Sequence, residues 1–162
     1  VAEAVAEALR VAGDARWATL VHGDAKAMNM FLGDGKLIDF QWVGVGYGMQ
    51  DVAFHLIHSV APAALDSGGE ARLVAAYVDA LDLGPDLGPA YAAVALDHYE
   101  LSVLDYARHL FAGFPTDSSD AAFAAKRARL NAGLIYRDPA ASLRLVRRVD
   151  EILARRFPDA AN

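Results

Sequence analysis

The chain has 162 residues, 55% hydrophobic and 22% charged, enough apolar material for one folded domain and too much for an intrinsically disordered segment. Its net charge of -6 is unevenly spread, with ten acids against Arg72 and Arg108 in residues 61 to 121 and nine bases against four acids in residues 122 to 162, so the acidic middle disfavours nucleic acid. Zero cysteines exclude disulfides, thiolate metal sites and a cysteine nucleophile, and no apolar run approaches the ~20 residues that span a bilayer, so no membrane partner and a cytoplasmic setting are expected.

Val1, Val5 and Leu9 recur every four residues before Gly13, which predicts an amphipathic helix over residues 1 to 12 with a glycine stop. Because the first residue is valine, the chain is expected to begin inside a longer product, after processing, or in an incomplete gene reading. Trp17 to Val21 reads as a strand. After the polar stretch His22 to Asn29, the runs Met30-Phe31-Leu32 and Lys36-Leu37-Ile38 flank Gly33-Asp34-Gly35, the pattern of a β-hairpin with a three-residue loop. Gly44, Gly46 and Gly48 then suggest a mobile segment.

From residue 51 the pattern turns helical. A helix opens at or just before Asp51 and carries Val52, Leu56 and Val60. Ser67 and Glu70 match a capping box, and the helix that follows, marked by Leu73, Val74, Tyr77, Val78 and Leu81, is expected to stop at Gly84-Pro85. Pro89 suits the first turn of a long helix to about Phe111, ended by Gly113 and Pro115. Two more helices follow: one over about 118 to 131, the other capped by Asp138 with Pro139 at its first position and Leu143, Val146, Val149, Ile152 and Leu153 on its buried stripe. The basic residues of this tail read as a solvated helix face, as do Asp97, Glu100 and Asp105 on the long helix. His55, His58, His98 and His109 lack metal-ligand spacing and are expected to be capped or solvent-facing. Tyr91, Tyr99, Tyr106 and Phe111 are expected to pack between helices.

The chemistry concentrates between residues 22 and 39. With residues 33 to 35 as the loop, Leu32 pairs with Lys36, and the register carried outward sets Asn29 opposite Asp39. An amide oxygen and a carboxylate on one face of a hairpin suit Mg²⁺, which keeps several waters and takes further ligands from substrate phosphates. Asp24, at the exit of a strand, can aim a carboxylate at a substrate hydroxyl as general base, and Lys26 can balance charge on a phosphoryl group in transfer. His22 is better suited to orienting the loop than to chemistry.

The string His22-Gly23-Asp24-Ala25-Lys26-Ala27-Met28-Asn29, followed by Ile38-Asp39-Phe40, resembles the catalytic and metal loops of the protein-kinase-like fold. His-Gly-Asp is similar to the aminoglycoside phosphotransferase and choline kinase group, and Asp39-Phe40-Gln41 with Asp51-Val52-Ala53-x-x-Leu56 resembles its ecdysteroid kinase-like branch (CHK kinase-like) most closely. The resemblance implies Asp24 as catalytic base, Asn29 and Asp39 as magnesium ligands, Lys26 as a phosphate contact and Asp51 as a structural acid that hydrogen-bonds the catalytic loop. It implies an α+β, mostly α-helical chain: a kinase-like C-terminal lobe over residues 1 to 162, with loops and hairpin in 1 to 50 and a helical scaffold and acceptor-site subdomain in 51 to 162. ATP would be the co-substrate, a small-molecule hydroxyl the acceptor, and the N-lobe the missing partner, because its nucleotide-covering loop, strand lysine and helix glutamate have no counterpart in residues 1 to 18. Little catalysis is then expected of residues 1 to 162 alone.

Two other readings compete. A degenerate lobe serving as a scaffold has no use for the triad Asp24, Asn29 and Asp39. A metal-dependent phosphohydrolase needs a second acidic cluster or a histidine ligand pair, and the sequence offers neither. The glycines at 44, 46 and 48 do not follow a dinucleotide or P-loop pattern.

Overall fold

The computed structural model describes residues 2–12, 15–31, 33–112 and 139–158. The glycine stops at Gly13 and Gly113, Pro115, the helix over 118 to 131 and the Asp138 cap lie outside these residues.

Helix α1 (Ala2–Ala12) leads into strand β1 (Ala18–Val21). A hairpin follows, β2 (Met30–Phe31) and β3 (Lys36–Leu37), and then β4 (Gly44–Tyr47). The rest is helical: α2 (Gly48–Ser59), the single-turn α3 (Pro62–Leu65), α4 (Gly69–Ala80), the long α5 (Gly84–Ala112) and α6 (Pro139–Arg156). The strands make two separate two-stranded antiparallel sheets, β1 with β4 and β2 with β3.

The glycine-rich segment is therefore a strand rather than a mobile loop. Its register sets Ala18 against Tyr47, Thr19 against Gly46, Leu20 against Val45 and Val21 against Gly44. A Cβ on Gly46 would displace the Gln50 amide oxygen and press on Val21, which gives this glycine a packing reason. The pairing closes residues 22 to 43 into one excursion from a short ribbon, so both candidate loops hang from the same pair of strands.

The core is helical. Met49, Ala53 and Leu56 of α2 bury one stripe against α5, where Tyr91, Ala95, Tyr99 and Val103 face inward; Val74 and Val78 come from α4, Val5 from α1, and Leu145 and Ile152 from α6. Tyr91 and Tyr99 thus pack between helices. Burial pushes the Tyr91 hydroxyl up to about 12, and burial, followed by the charge of Glu70, pushes Tyr99 up further.

Several local expectations yield to this packing. Ser67 and Gly68 both take positive φ, at 51° and 81°, so Gly68 rather than Ser67 precedes α4. Glu70, freed from a cap, is buried and accepts from Arg144 at 3.0 Å and Arg148 at 2.6 Å. Gly84-Pro85 opens α5 instead of stopping α4; proline is tolerated there because the first helical N–H groups have no intrahelical partner, and Pro89 falls inside the helix. On α6 the buried stripe is Leu145 and Ile152 with Val149 and Leu153 beside them, while Leu143 and Val146 are half exposed.

The charged faces are not simply solvated. Glu100, 2% exposed, takes Arg148 at 2.8 Å, Arg155 at 2.5 Å and Arg156 at 2.8 Å, and Arg156 also reaches Asp97. Acids of α4 and α5 and bases of α6 therefore neutralise each other across a helix interface. His58 and His98 are buried rather than solvent-facing; His58 shares a hydrogen bond with the Tyr106 hydroxyl, and His98 packs between Tyr47 and Tyr91.

Candidate active site

The chain leaves β1 at buried Val21 and must turn sharply. Gly23 does this at φ +79°, and a Cβ on it would stand 2.5 Å from the Trp42 carbonyl oxygen and 2.7 Å from the Trp42 Cβ. Any other residue would meet both the left-handed strain and the backbone of the following segment, so the glycine of His-Gly-Asp is a steric requirement here.

Beyond the turn, His22, Asp24 and Asn29 are all buried. Lys26 Nζ reaches Asp24 Oδ2 at 2.5 Å, and Asn29 Nδ2 donates to the same oxygen at 3.0 Å and to the Asp24 backbone carbonyl at 2.9 Å. Backbone bonds from the Lys26 N–H to the Asp24 carbonyl and from the Asn29 N–H to the Lys26 carbonyl, both 2.9 Å, fix the curl that makes these contacts. With the Asn29 amide nitrogen committed to Asp24, Asn29 Oδ1 and Asp24 Oδ1 carry no hydrogen bond among the described residues.

His22 joins the two loops. Its Nδ1 accepts from the Asp24 N–H at 3.2 Å, so the ring proton on Nε2 is donated to the Ile38 carbonyl at 2.9 Å. The ring also lies 4.9 Å, centroid to centroid, from Phe40. It thereby ties the Asp24 backbone to the residues on either side of Asp39.

Helix α2 carries the loop from the other side. Asp51 accepts the His22 N–H on Oδ2 at 2.6 Å and the Gly23 N–H on Oδ1 at 2.9 Å. This carboxylate sits in the first helical turn, where the helix dipole favours negative charge. Burial first, and then the charge of Asp51, raises the pKa of Tyr77, keeping that hydroxyl protonated. His55 Nδ1 donates to the Ala25 carbonyl at 2.9 Å, and Ser59 Oγ accepts the Ala27 N–H at 2.7 Å. The sequence reading missed His55 and Ser59, although the successive four-residue steps from Asp51 to His55 to Ser59 on one helix face were a signal for both.

The hairpin register differs from the expected one. Met30 pairs with Leu37 and Phe31 with Lys36, and the Ile38 N–H donates to the Asn29 carbonyl at 3.0 Å. The register is shifted by one residue, so Ile38 rather than Asp39 stands opposite Asn29. Asp39 is exposed and takes the left-handed conformation, φ 65° and ψ 59°, at the start of a short 3₁₀ turn over Phe40–Trp42. Aspartate is one of the few residues that accepts that conformation. Among the described residues, no hydrogen bond or ion pair joins its side chain to Asp24 or Asn29. The structure thus brings His22, Asp24, Lys26, Asn29 and Asp51 together by direct contact and leaves Asp39 beside them.

The donor set fits a hard divalent cation that keeps water and phosphate ligands. Asn29 Oδ1 and the Asp39 carboxylate are both hard oxygens, and Mg²⁺ accepts as few as one or two protein ligands. Among the described residues no three histidine or acidic side chains converge, so an all-protein metal cage is not what the fold builds.

A cavity of about 620 Å³ lies elsewhere, between the α3–α4 turn and α6, with Asp66, Glu70, Arg144, Arg147 and Arg148 among its walls. None of the six candidate residues lines it, and four of those wall charges pair with one another.

Strand β1, the loop after it and the hairpin thus present a buried aspartate, a lysine in contact with it and an asparagine, on a loop fastened to helix α2. Residues 1–96 match the model of the APH phosphotransferase enzyme family, and the chain belongs to that family. No curated protein and no solved structure matches it. Among the described residues no helix is long and apolar enough to cross a membrane.

Proposed function

We propose that this chain is the catalytic lobe of an ATP-dependent kinase that transfers the γ-phosphoryl group to a hydroxyl of a small molecule. The observation that carries the reading is the Asp24 carboxylate, buried and fixed on one oxygen by both Lys26 and Asn29. Such a carboxylate is pre-aimed: its second oxygen can accept the acceptor's proton as the oxygen attacks phosphorus, and positioning dominates this reaction.

Lys26, with a side chain 31% exposed, can turn from Asp24 to the transferred phosphoryl group and offset its charge. Asn29 Oδ1 and Asp39 would hold Mg²⁺, which supplies charge neutralisation of the nucleotide phosphates when bound. Asp51 and His22 keep the loop in place and do not touch the reacting atoms.

On this reading the chain corresponds to the C-lobe of the protein-kinase-like fold, nearest the ecdysteroid kinase-like branch, working on ATP and a small-molecule alcohol in the cytoplasm. Residues 1–162 alone should turn over little, because no segment among residues 1 to 18 offers a nucleotide-covering loop or a strand lysine. The test is Asp24→Asn in the full-length protein. ATP-dependent phosphorylation should be lost while the thermal unfolding midpoint stays within a few degrees. Undiminished turnover would remove Asp24 as the base.

A further inference from the structure

The face of α2 opposite the core carries more than Asp51. Asp51, His55 and Ser59 are spaced by four, and each bonds the backbone of the catalytic loop at successive odd positions: Gly23 N–H, Ala25 carbonyl and Ala27 N–H. Four helical residues advance about 6 Å, one turn, so Asp51, His55 and Ser59 stand in a row along one side of α2, and the curled loop brings a backbone group to each of them. Between the anchors, Asp24 and Lys26 share the remaining side of the loop, as their 2.5 Å ion pair shows.

From this we infer that His55 and Ser59 are positioning residues for the phosphoryl-transfer loop, extending the hold of Asp51 along its whole length. The inference rests on the proposed role of Asp24 and goes beyond it. Asp51 fixes only the entry to the loop at His22 and Gly23. The orientation of the Asp24 carboxylate also depends on the peptide units that follow, and these have their α2 contacts through His55 and Ser59. The Ala25 carbonyl accepts from a ring nitrogen and the Ala27 N–H donates to a hydroxyl, so the two rungs use opposite polarities. A sub-ångström loosening here is a loss of aim rather than of fold, because the α2 core residues Met49, Ala53 and Leu56 lie on a different face.

The test uses the full-length protein, with Mg·ATP hydrolysis as the assay and water as the acceptor. His55→Leu and Ser59→Ala should each lower kcat about 10-fold or more, with KM for ATP within about twofold, the pattern of misplaced reacting groups rather than weakened binding. His55→Asn, whose amide can place a donor near the lost ring N–H, and Ser59→Thr should recover most of the rate. A second measurement is independent of turnover: amide exchange at Ala27 should accelerate about 10-fold or more in folded Ser59→Ala, reporting a local opening. Folded His55→Leu and Ser59→Ala proteins with wild-type kcat, a rate loss that Asn and Thr fail to recover, or unchanged exchange at Ala27 would each overturn the inference. Asp24→Asn separates this from the parent reading. Retained hydrolysis in that variant removes the base itself, whereas its loss beside unaffected ladder variants removes only the ladder.

Discussion

Residues 18 to 47 and the helices around α5 are stabilised in opposite ways. In the first region Leu20, Phe31, Phe40, Trp42 and Val45 are all more than half exposed, and shape comes from hydrogen bonds to Asp51, His55, Ser59 and His22. In the second, Met49, Ala53, Tyr99, Val103 and Ile152 are almost fully buried, and the buried acid Glu100 is matched by three arginines. The difference teaches where tolerance lies. A region held by directed bonds should lose function before stability, and a region held by packing and buried charge should lose stability first.

The sharpest way to break this contrast is Asp24→Asn, where a general base is worth about 10² to 10⁴ in rate and the fold should hardly notice. A global unfolding caused by that substitution, read by circular dichroism, would place Asp24 on the structural side of the line. Next comes Glu100→Ala, which leaves Arg148, Arg155 and Arg156 without their shared partner and should cost about 3 kcal/mol in denaturant unfolding. Gly23→Ala should follow at about 2 kcal/mol, from left-handed strain and the collision with Trp42, with catalysis reduced more than stability.

Acid should act on the helical side. Burial by itself would raise the Glu100 pKa, but hydrogen bonds from Arg155, Arg156 and Arg148 outweigh it and hold the carboxyl below its usual range. A depressed folded-state pKa contributes stability above the unfolded value, about 4.3, and that contribution is lost as pH falls through the folded one. Unfolding free energy measured from pH 6 downward should therefore fall with acid, and Glu100→Gln should flatten the slope. Smallest of all should be Trp42→Ser: this 67% exposed side chain should change stability by less than about 0.5 kcal/mol. A large loss would show that the β region has a hydrophobic core of its own.

The helices were legible where their signal was local: α1, α2 and α4 stand close to their expected spans, and Tyr91 and Tyr99 of α5 are buried. Punctuation was less reliable. Gly84-Pro85 and Ser67 behave differently from their usual signals because neighbouring turns set φ at Ser67 and Gly68. The hairpin was found in the right place but one residue out of register, since the turn residues allowed either register.

By itself the sequence determined the typed residues from His22 to Asn29, the Ile38-Asp39-Phe40 string and the change from strands to helices at the end of the glycine segment. These are properties of neighbouring residues, and short-range sterics and periodicity write them into the chain. Only the tertiary structure decided that residues 44 to 47 pair with 18 to 21, that Glu70 and Glu100 are buried under the arginines of α6, and that His55 and Ser59 hold the loop. Those contacts join residues from about 23 to 78 positions apart, where hydrogen-bond geometry and desolvation choose the partner and nothing in the intervening sequence records the choice.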